Sequence, residues 1–301
     1  MVILFYYLKK HTGISFNMEA SQLASIERTK NATLIRKKCN IKRYSLLIGV
    51  RKGGTRALID MIGLHSKVRT ASGELHFFDI DENYNKGYLW YQEKMPACKK
   101  DEIAIEKTPR YFNTPTVPSR VFTFNKAIKL LIIVRDPVTR LISDYTQLLH
   151  NHVEKNLNFV SFEDFIMTED KKMKTKQVNV QNDAVIRSIY VKHMRKWLNY
   201  FPKTQIHVVN GDRLIKKPWQ EIRQVEKFLH LKHEIKKNHF YFNRTKGFHC
   251  LKRTGRCLAK SKGRQHPNVS SIILHQLRIF FRPYNFQFYD LMGKDFGWPE
   301  E

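Results

Sequence analysis

Residues 45–65 read SLLIGVRKGGTRALIDMIGLH. The apolar run 46–50 ends in Arg51, Lys52, Gly53, Gly54 and Thr55, and a helical pattern begins. A buried strand that turns through glycines into a helix makes a phosphate cradle, because backbone N–H groups and the positive helix end converge on one anion. The residue order is not that of a nucleoside-triphosphate hydrolase. There the lysine is followed by Ser or Thr, which holds Mg²⁺, and a later strand carries an Asp. Here Lys52 precedes its glycines. A tight turn with a helix cap at Thr55 is the competing reading of the same residues.

Outward from this stretch, AIKLLIIVRDP holds an unbroken apolar run at 130–134. Such a run suits a central parallel strand buried on both faces. Pro137 then stands where a first helical turn tolerates it, and VTRLISDYTQLLHNH continues as an amphipathic helix. The pattern predicts strand 44–50, loop 51–54, helix 55–65 and a short strand 103–105 ending at Glu106 and Lys107. It predicts an irregular excursion at 153–182, helix 184–200, a strand-to-loop passage in QIHVVNGDRL and helix 219–230. A last helix, 270–292, is expected to break at Pro283. Strands alternating with helices predict an α/β fold, a central, mostly parallel sheet flanked by helices, as a single domain over residues 44–301. Residues 1–43 read as a tail or stem.

The 301-residue chain carries 54 Lys plus Arg against 27 Asp plus Glu, a net charge of +27. That excess points to a polyanionic partner, and nucleic acid, anionic membrane and acidic polysaccharide all qualify. No aromatic and basic RNA motif and no zinc finger is present, so no nucleic acid is expected. Cys39, Cys98, Cys250 and Cys257 form no C-x-x-C pair. Cys250 and Cys257 flank a short basic loop, and these residues fit a local disulfide or two unrelated thiols about equally. Sequons at Asn31, Asn243 and Asn268 lean toward an oxidising, glycosylating compartment. The N-terminal MVILFYYLKK is too short an apolar run to span a bilayer; a truncated signal or membrane anchor and a plain tail are both open.

Ligands of open parallel sheets sit beyond the carboxyl ends of the strands. Two such ends here are basic: Arg51 and Lys52 after the first strand, Arg135 after LLIIV. Lys52 supplies a mobile point charge, and Arg135 a planar fork that the Ser143 hydroxyl can join. Two phosphate grips on one sheet suggest a nucleotide phosphorylated at both ends. In SGELHFFD, an extended backbone puts Glu74 and His76 on one face and Phe77 on the other. Glu74 reads as a general base with His76 orienting a substrate or sharing the proton, against the plainer reading of two core phenylalanines with solvated neighbours.

Taken together, IGVRKGGTRALI, ELHFFD, IEKTPRYF, IIVRDPVTRLISDYTQ, HVVNGDRLI, FYFNRTKGF, CLAKSKGRQHP and the terminal FGW resemble the heparan sulfate glucosamine 3-O-sulfotransferases, in order, across about residues 44–298. Details such as DENYNKG and IKLLIIVR resemble the subgroup that includes the antithrombin-site-forming members. The resemblance implies a P-loop-like sulfotransferase fold and the donor 3′-phosphoadenosine 5′-phosphosulfate (PAPS), with no catalytic metal. It implies a 5′-phosphosulfate loop of Lys52, Gly53, Gly54, Thr55 and Arg56, with Lys52 also catalytic. It implies a 3′-phosphate grip of Arg135 and Ser143, and a donor-closing segment of Lys262, Gly263 and Arg264. Glu74 matches the catalytic base, with His76 beside it. Arg51, Asp79, Lys107 and Asn151 match positions lining a glycan cleft, and Cys250 with Cys257 matches a disulfide. Heparan sulfate or heparin is the implied partner and the Golgi lumen the implied compartment.

The chain departs from the family's pattern at four places. His249 stands where an aromatic residue usually lies against the donor. Arg110 stands where a small residue follows the EKTP stretch. Ser72 replaces an acid found in some antithrombin-type relatives, and the loop between Cys250 and Cys257 is shorter. Sulfation at another position, such as the glucosamine nitrogen, is the alternative within enzymes. A non-catalytic heparin-binding or polyanion-binding protein on this scaffold is the alternative outside them.

Overall fold

The structure, a computed structural model, describes residues 39–170, 175–255, 257–258 and 264–301. Most of the expected stem, the Asn31 sequon and the expected donor residues Lys262 and Gly263 lie outside the described residues.

The strands are β1 (Tyr44–Gly49), β2 (Val68–Thr70), β3 (Ile103–Lys107), β4 (Lys129–Val134), β5 (Met167–Asp170), β6 (Thr175–Val178), β7 (Ile206–Asn210), β8 (Phe240–Asn243) and β9 (Phe248–Leu251). The helices are α1 (Thr55–Ile62), α2 (Asp81–Tyr84), α3 (Gly87–Lys94), α4 (Val117–Phe124), α5 (Pro137–Val153) and α6 (Phe162–Ile166). They continue with α7 (Asp183–Ser188), α8 (Tyr190–Leu198), α9 (Gly211–Lys216), α10 (Pro218–Phe228) and α11 (Ser271–Met292). The main sheet has the order β2-β3-β1-β4-β7. All of its pairings are parallel. Two antiparallel hairpins, β5 with β6 and β8 with β9, stand apart from it.

Strand alternation divides the core in two. Leu46 and Ile48 of β1, with Leu130, Ile132 and Val134 of β4, pack on the face covered by α5, α8 and α11. Leu47, Leu131 and Ile133 point the other way and meet Leu58 and Ile62 of α1 and Ile222 and Val225 of α10. A strand with helices on both faces must be apolar at every position, which is why 46–50 and 130–134 lack an alternating pattern.

Several expected boundaries shift. The strand 103–105 extends to Lys107, so Glu106 and Lys107 are strand residues pointing to opposite faces. The expected helix 184–200 is two helices meeting at Ile189, whose ψ of 74° leaves the helical region. The expected break at Pro283 does not occur: α11 runs unbroken from Ser271 to Met292. Burial of Ile273, Leu277, Phe281 and Phe288 along one side holds it, and Ile279, whose carbonyl loses its partner, is half exposed to water. The irregular excursion contains α6 and the β5–β6 hairpin. Among the described residues no helix is long and apolar enough to cross a membrane.

Candidate active site

At the carboxyl end of β1 the chain turns through Lys52, whose φ is 68°, and Gly54, whose φ is 110°. Gly53 is required by close approach: a Cβ there would lie 2.4 Å from the Ile133 carbonyl oxygen. Gly54, not Thr55, is the N-cap of α1, and no side chain caps that end. The first-turn N–H groups therefore face outward with the positive end of the helix dipole. At the end of β4, Asp136 caps α5 by accepting from the backbone N–H groups of Val138 and Thr139. Arg135, just before it, donates from Nε to Asp212 Oδ1 at 2.9 Å, which fixes the plane of its guanidinium.

Between these two strand ends lies a cavity of 290 Å³. Lys52, Gly53, Gly54, Thr55, Arg56, Arg135, Ser143, His249 and Arg264 all line it, so the described members of the expected donor site converge on one space. His249 donates from Nδ1 to the Ile215 carbonyl at 3.1 Å, and its ring meets Trp219 and Phe242 edge-on. The cavity also recruits Gln147, Gly211, Phe248 and His266, which sequence reading missed. Proximity to Arg135 and Lys52 adds to partial burial in pushing the His266 imidazole below its usual range. Gly211 had one legible signal, a glycine directly after the apolar strand β7.

A second, open cleft of 800 Å³ shares Thr55, Arg56, His249 and Leu258 with the first and contains Glu74 and Lys107. Lys107 hydrogen-bonds Glu74 Oε1, and His76 Nε2 lies 3.5 Å from Glu74 Oε2. The His76 ring donates from Nδ1 to Asp79 Oδ2 at 2.9 Å, and the Asp79 side chain is fully buried. This backbone is not extended, as the sequence reading assumed. His76 has φ 49°, and the left-handed turn is what carries its ring back between Glu74 and Asp79. Arg110 reaches the same carboxylate, its Nε 3.6 Å from Asp79 Oδ2.

A family profile described as the sulfotransferase domain matches residues 42–270. The human heparan sulfate glucosamine 3-O-sulfotransferase 5 is 50% identical over 258 residues, 85% of this chain and 73% of that protein. The chain belongs to the heparan sulfate glucosamine 3-O-sulfotransferase family. The mouse heparan sulfate glucosamine 3-O-sulfotransferase 3B1 is 44% identical over 84% of this chain and 64% of its own length. The crystal structure of a sulfotransferase from Alicyclobacillus acidocaldarius, 18% identical, superposes with a TM-score of 0.60 over 84% of this chain and 96% of that one, a likeness of fold.

The remaining expected positions of this sulfotransferase fall outside the two cavities. Arg51 donates from Nε to Asp144 Oδ1 at 2.7 Å. Asp144 also accepts from Arg140 at 2.9 Å, and Arg140 and Asp144 have no exposed side-chain surface. Burial works against the Asp144 charge, but Arg140 and Arg51 outweigh it and hold the carboxyl at about 2. Asn151 is exposed on α5 and accepts from Gln147 Nε2 at 2.7 Å. Gln147 in turn accepts from Arg264 at 2.8 Å, so a chain of hydrogen bonds runs from the first cavity to Asn151. Cys250 pairs with Cys257, and Cys39 pairs with Cys98, a bridge that sequence spacing did not reveal.

Proposed function

We propose that this sulfotransferase moves the sulfuryl group of PAPS to the 3-hydroxyl of glucosamine units in heparan sulfate. The supporting observation is the shared wall of the two cavities: Thr55, Arg56 and His249 belong to both, with an anion cradle on one side and Glu74 on the other.

The residues fit the donor. The uncapped N-terminus of α1, with Lys52 and Arg56, suits the 5′-phosphosulfate, while Arg135 and Ser143, at the end of β4 and on α5, suit the 3′-phosphate. PAPS supplies the electrophilic sulfur and a bisphosphate leaving group. The protein contributes position and charge, as in phosphoryl transfer. Lys52 is assigned to the charge that builds on the leaving 5′-phosphate. Glu74 accepts the proton of the attacking hydroxyl. Lys107 fixes one of its oxygens, and His76, held in one tautomer by Asp79, faces the other. Arg51 supports this arrangement from behind, tying the phosphate loop to α5 through Asp144.

The net charge of +27 suits a sulfated polysaccharide, and two disulfides suit an oxidising compartment, which we infer to be the Golgi lumen. The test is incubation with labelled PAPS and heparan sulfate, followed by disaccharide analysis. Label on the glucosamine 3-oxygen is expected. Label on the nitrogen favours the other sulfation chemistry, and heparin binding without saturable PAPS binding favours a non-catalytic protein. The Glu74→Gln protein is expected to lose at least about 100-fold in kcat while still binding adenosine 3′,5′-bisphosphate.

A further inference from the structure

Under the loop that carries Glu74 lies a buried polar network to which the proposed mechanism gives no part. Glu106 of β3 is fully buried, as are Thr108, Tyr91 and Tyr111. Glu106 Oε1 accepts from the Leu75 backbone N–H at 3.4 Å and from the Thr108 hydroxyl. Glu106 Oε2 accepts from the Tyr91 hydroxyl at 3.3 Å. Thr108 Oγ1 accepts from the His76 N–H at 3.4 Å, and Tyr111 Oη accepts from the Phe77 N–H at 3.0 Å and the Phe78 N–H at 3.5 Å. Backbone donors of the consecutive residues 75–78 thus end on side chains from β3 and from the turn after it, and Tyr91 of α3 braces Glu106 by donating to its other oxygen. A loop has no ladder to satisfy those N–H groups, and buried donors must find partners.

We propose that Glu106 is a positioning residue for the reaction: it holds the Leu75 and His76 backbone so that Glu74 and the His76 ring face the cleft. The proposal rests on Glu74 being the base. A carboxylate in an apolar core is unfavourable unless its oxygens are bonded, and here both are bonded to the catalytic segment and its supports. Burial outweighs these hydrogen bonds and pushes the Glu106 carboxyl up to about 7. The group therefore tolerates a neutral replacement. The geometry matters more than the charge: adjacent residues of one strand work on opposite faces, Lys107 on Glu74 itself and Glu106 on the backbone beneath it.

The experiment compares Glu106→Leu, Glu106→Gln and Thr108→Val. Glutamine can still accept from Leu75 and Thr108, while leucine can accept from neither. The expected result is a kcat lowered by about 10- to 100-fold in Glu106→Leu, with most of it recovered in Glu106→Gln. Thr108→Val is expected to lose several-fold, in kcat alone. The KM for PAPS and the affinity for adenosine 3′,5′-bisphosphate, read by calorimetry, stay within about 3-fold, because the donor cavity is elsewhere. Hydrogen exchange in the peptide covering residues 72–79 speeds up in the leucine and valine proteins and not in the glutamine one. A Glu106→Leu protein with full kcat overturns the proposal, as does one that loses donor affinity in proportion. Should that variant fail to fold, a Thr108→Val protein with full kcat and unchanged exchange overturns it. An inactive native protein counts against the proposed function instead, and the exchange measurement then decides the network by itself.

Discussion

Arg51 donates to Asp144 at 2.7 Å, so the residue beside Lys52 is tied to a fully buried carboxylate on α5. Arg140 shares that carboxylate and is itself fully buried. Removing the acid leaves Arg140 buried without its counter-charge. Asp144→Ala is therefore expected to cost about 3–5 kcal/mol in urea unfolding, and Arg51→Ala far less because half of that pair faces water. The stabilisation from ionised Asp144 is present above the ordinary carboxylate range and is lost as pH falls through about 2. An Asp144→Ala protein no less stable than the native one at neutral pH would show that the cluster contributes nothing.

Arg135 spends its Nε on Asp212, and lysine cannot keep that bond while presenting a planar fork to a phosphate. Arg135→Lys is expected to raise the KM for PAPS by about 10-fold with kcat within about 3-fold. Initial rates at saturating heparan sulfate check it. An unchanged donor KM removes Arg135 from the donor site.

Gly211 opens α9 against the glycine turn after β1: a Cβ there would sit 2.6 Å from the Gly53 carbonyl oxygen and 2.9 Å from that of Val134. These are backbone atoms, so the strain cannot be relieved by a rotamer change. Gly211→Ala is expected to destabilise by about 1–3 kcal/mol and to weaken adenosine 3′,5′-bisphosphate binding. Thermal unfolding with and without that ligand measures both. Native melting behaviour in the alanine protein would mean that the two loops separate freely.

Glu106 has its folded-state pKa raised to about 7 by burial, so its contribution to stability is fully present below the unfolded carboxyl value and is lost as pH rises to about 7. The titratable groups facing it are the hydroxyls of Tyr91 and Tyr111, both pushed far up by burial, so neither titrates in this window. Relative to Glu106→Gln, the native protein is expected to lose about 3 kcal/mol between about pH 4.5 and pH 7. Denaturant unfolding at the two ends of that window tests this. A difference that does not vary with pH would show that Glu106 keeps one protonation state throughout.

The sheet was legible from 46–50 and 130–134 because a strand covered on both faces leaves a continuous apolar run, which depends on local sequence alone. The glycine turn after β1 was legible for a related reason: glycine spacing and a following helix are local. Helix continuity was less so. Pro283 and Ile189 read as a break and as mid-helix, yet packing carried α11 through the proline, and the chain turned at Ile189.

The sequence by itself determined the alternation of strands and helices, the cradle at Lys52, Gly53 and Gly54, and the candidacy of Arg135 and Glu74. Each is a property of a short stretch. Only the tertiary structure decided that Gly211 abuts Gly53, that Cys39 joins Cys98, and that Arg51 faces Asp144. It alone placed Glu106 beneath Leu75. Those partners are separated by tens of residues or more along the chain, and no spacing rule connects them. They meet because parallel strands bring distant loops to one edge of the sheet, where a buried charge or N–H group must find whatever partner the fold supplies.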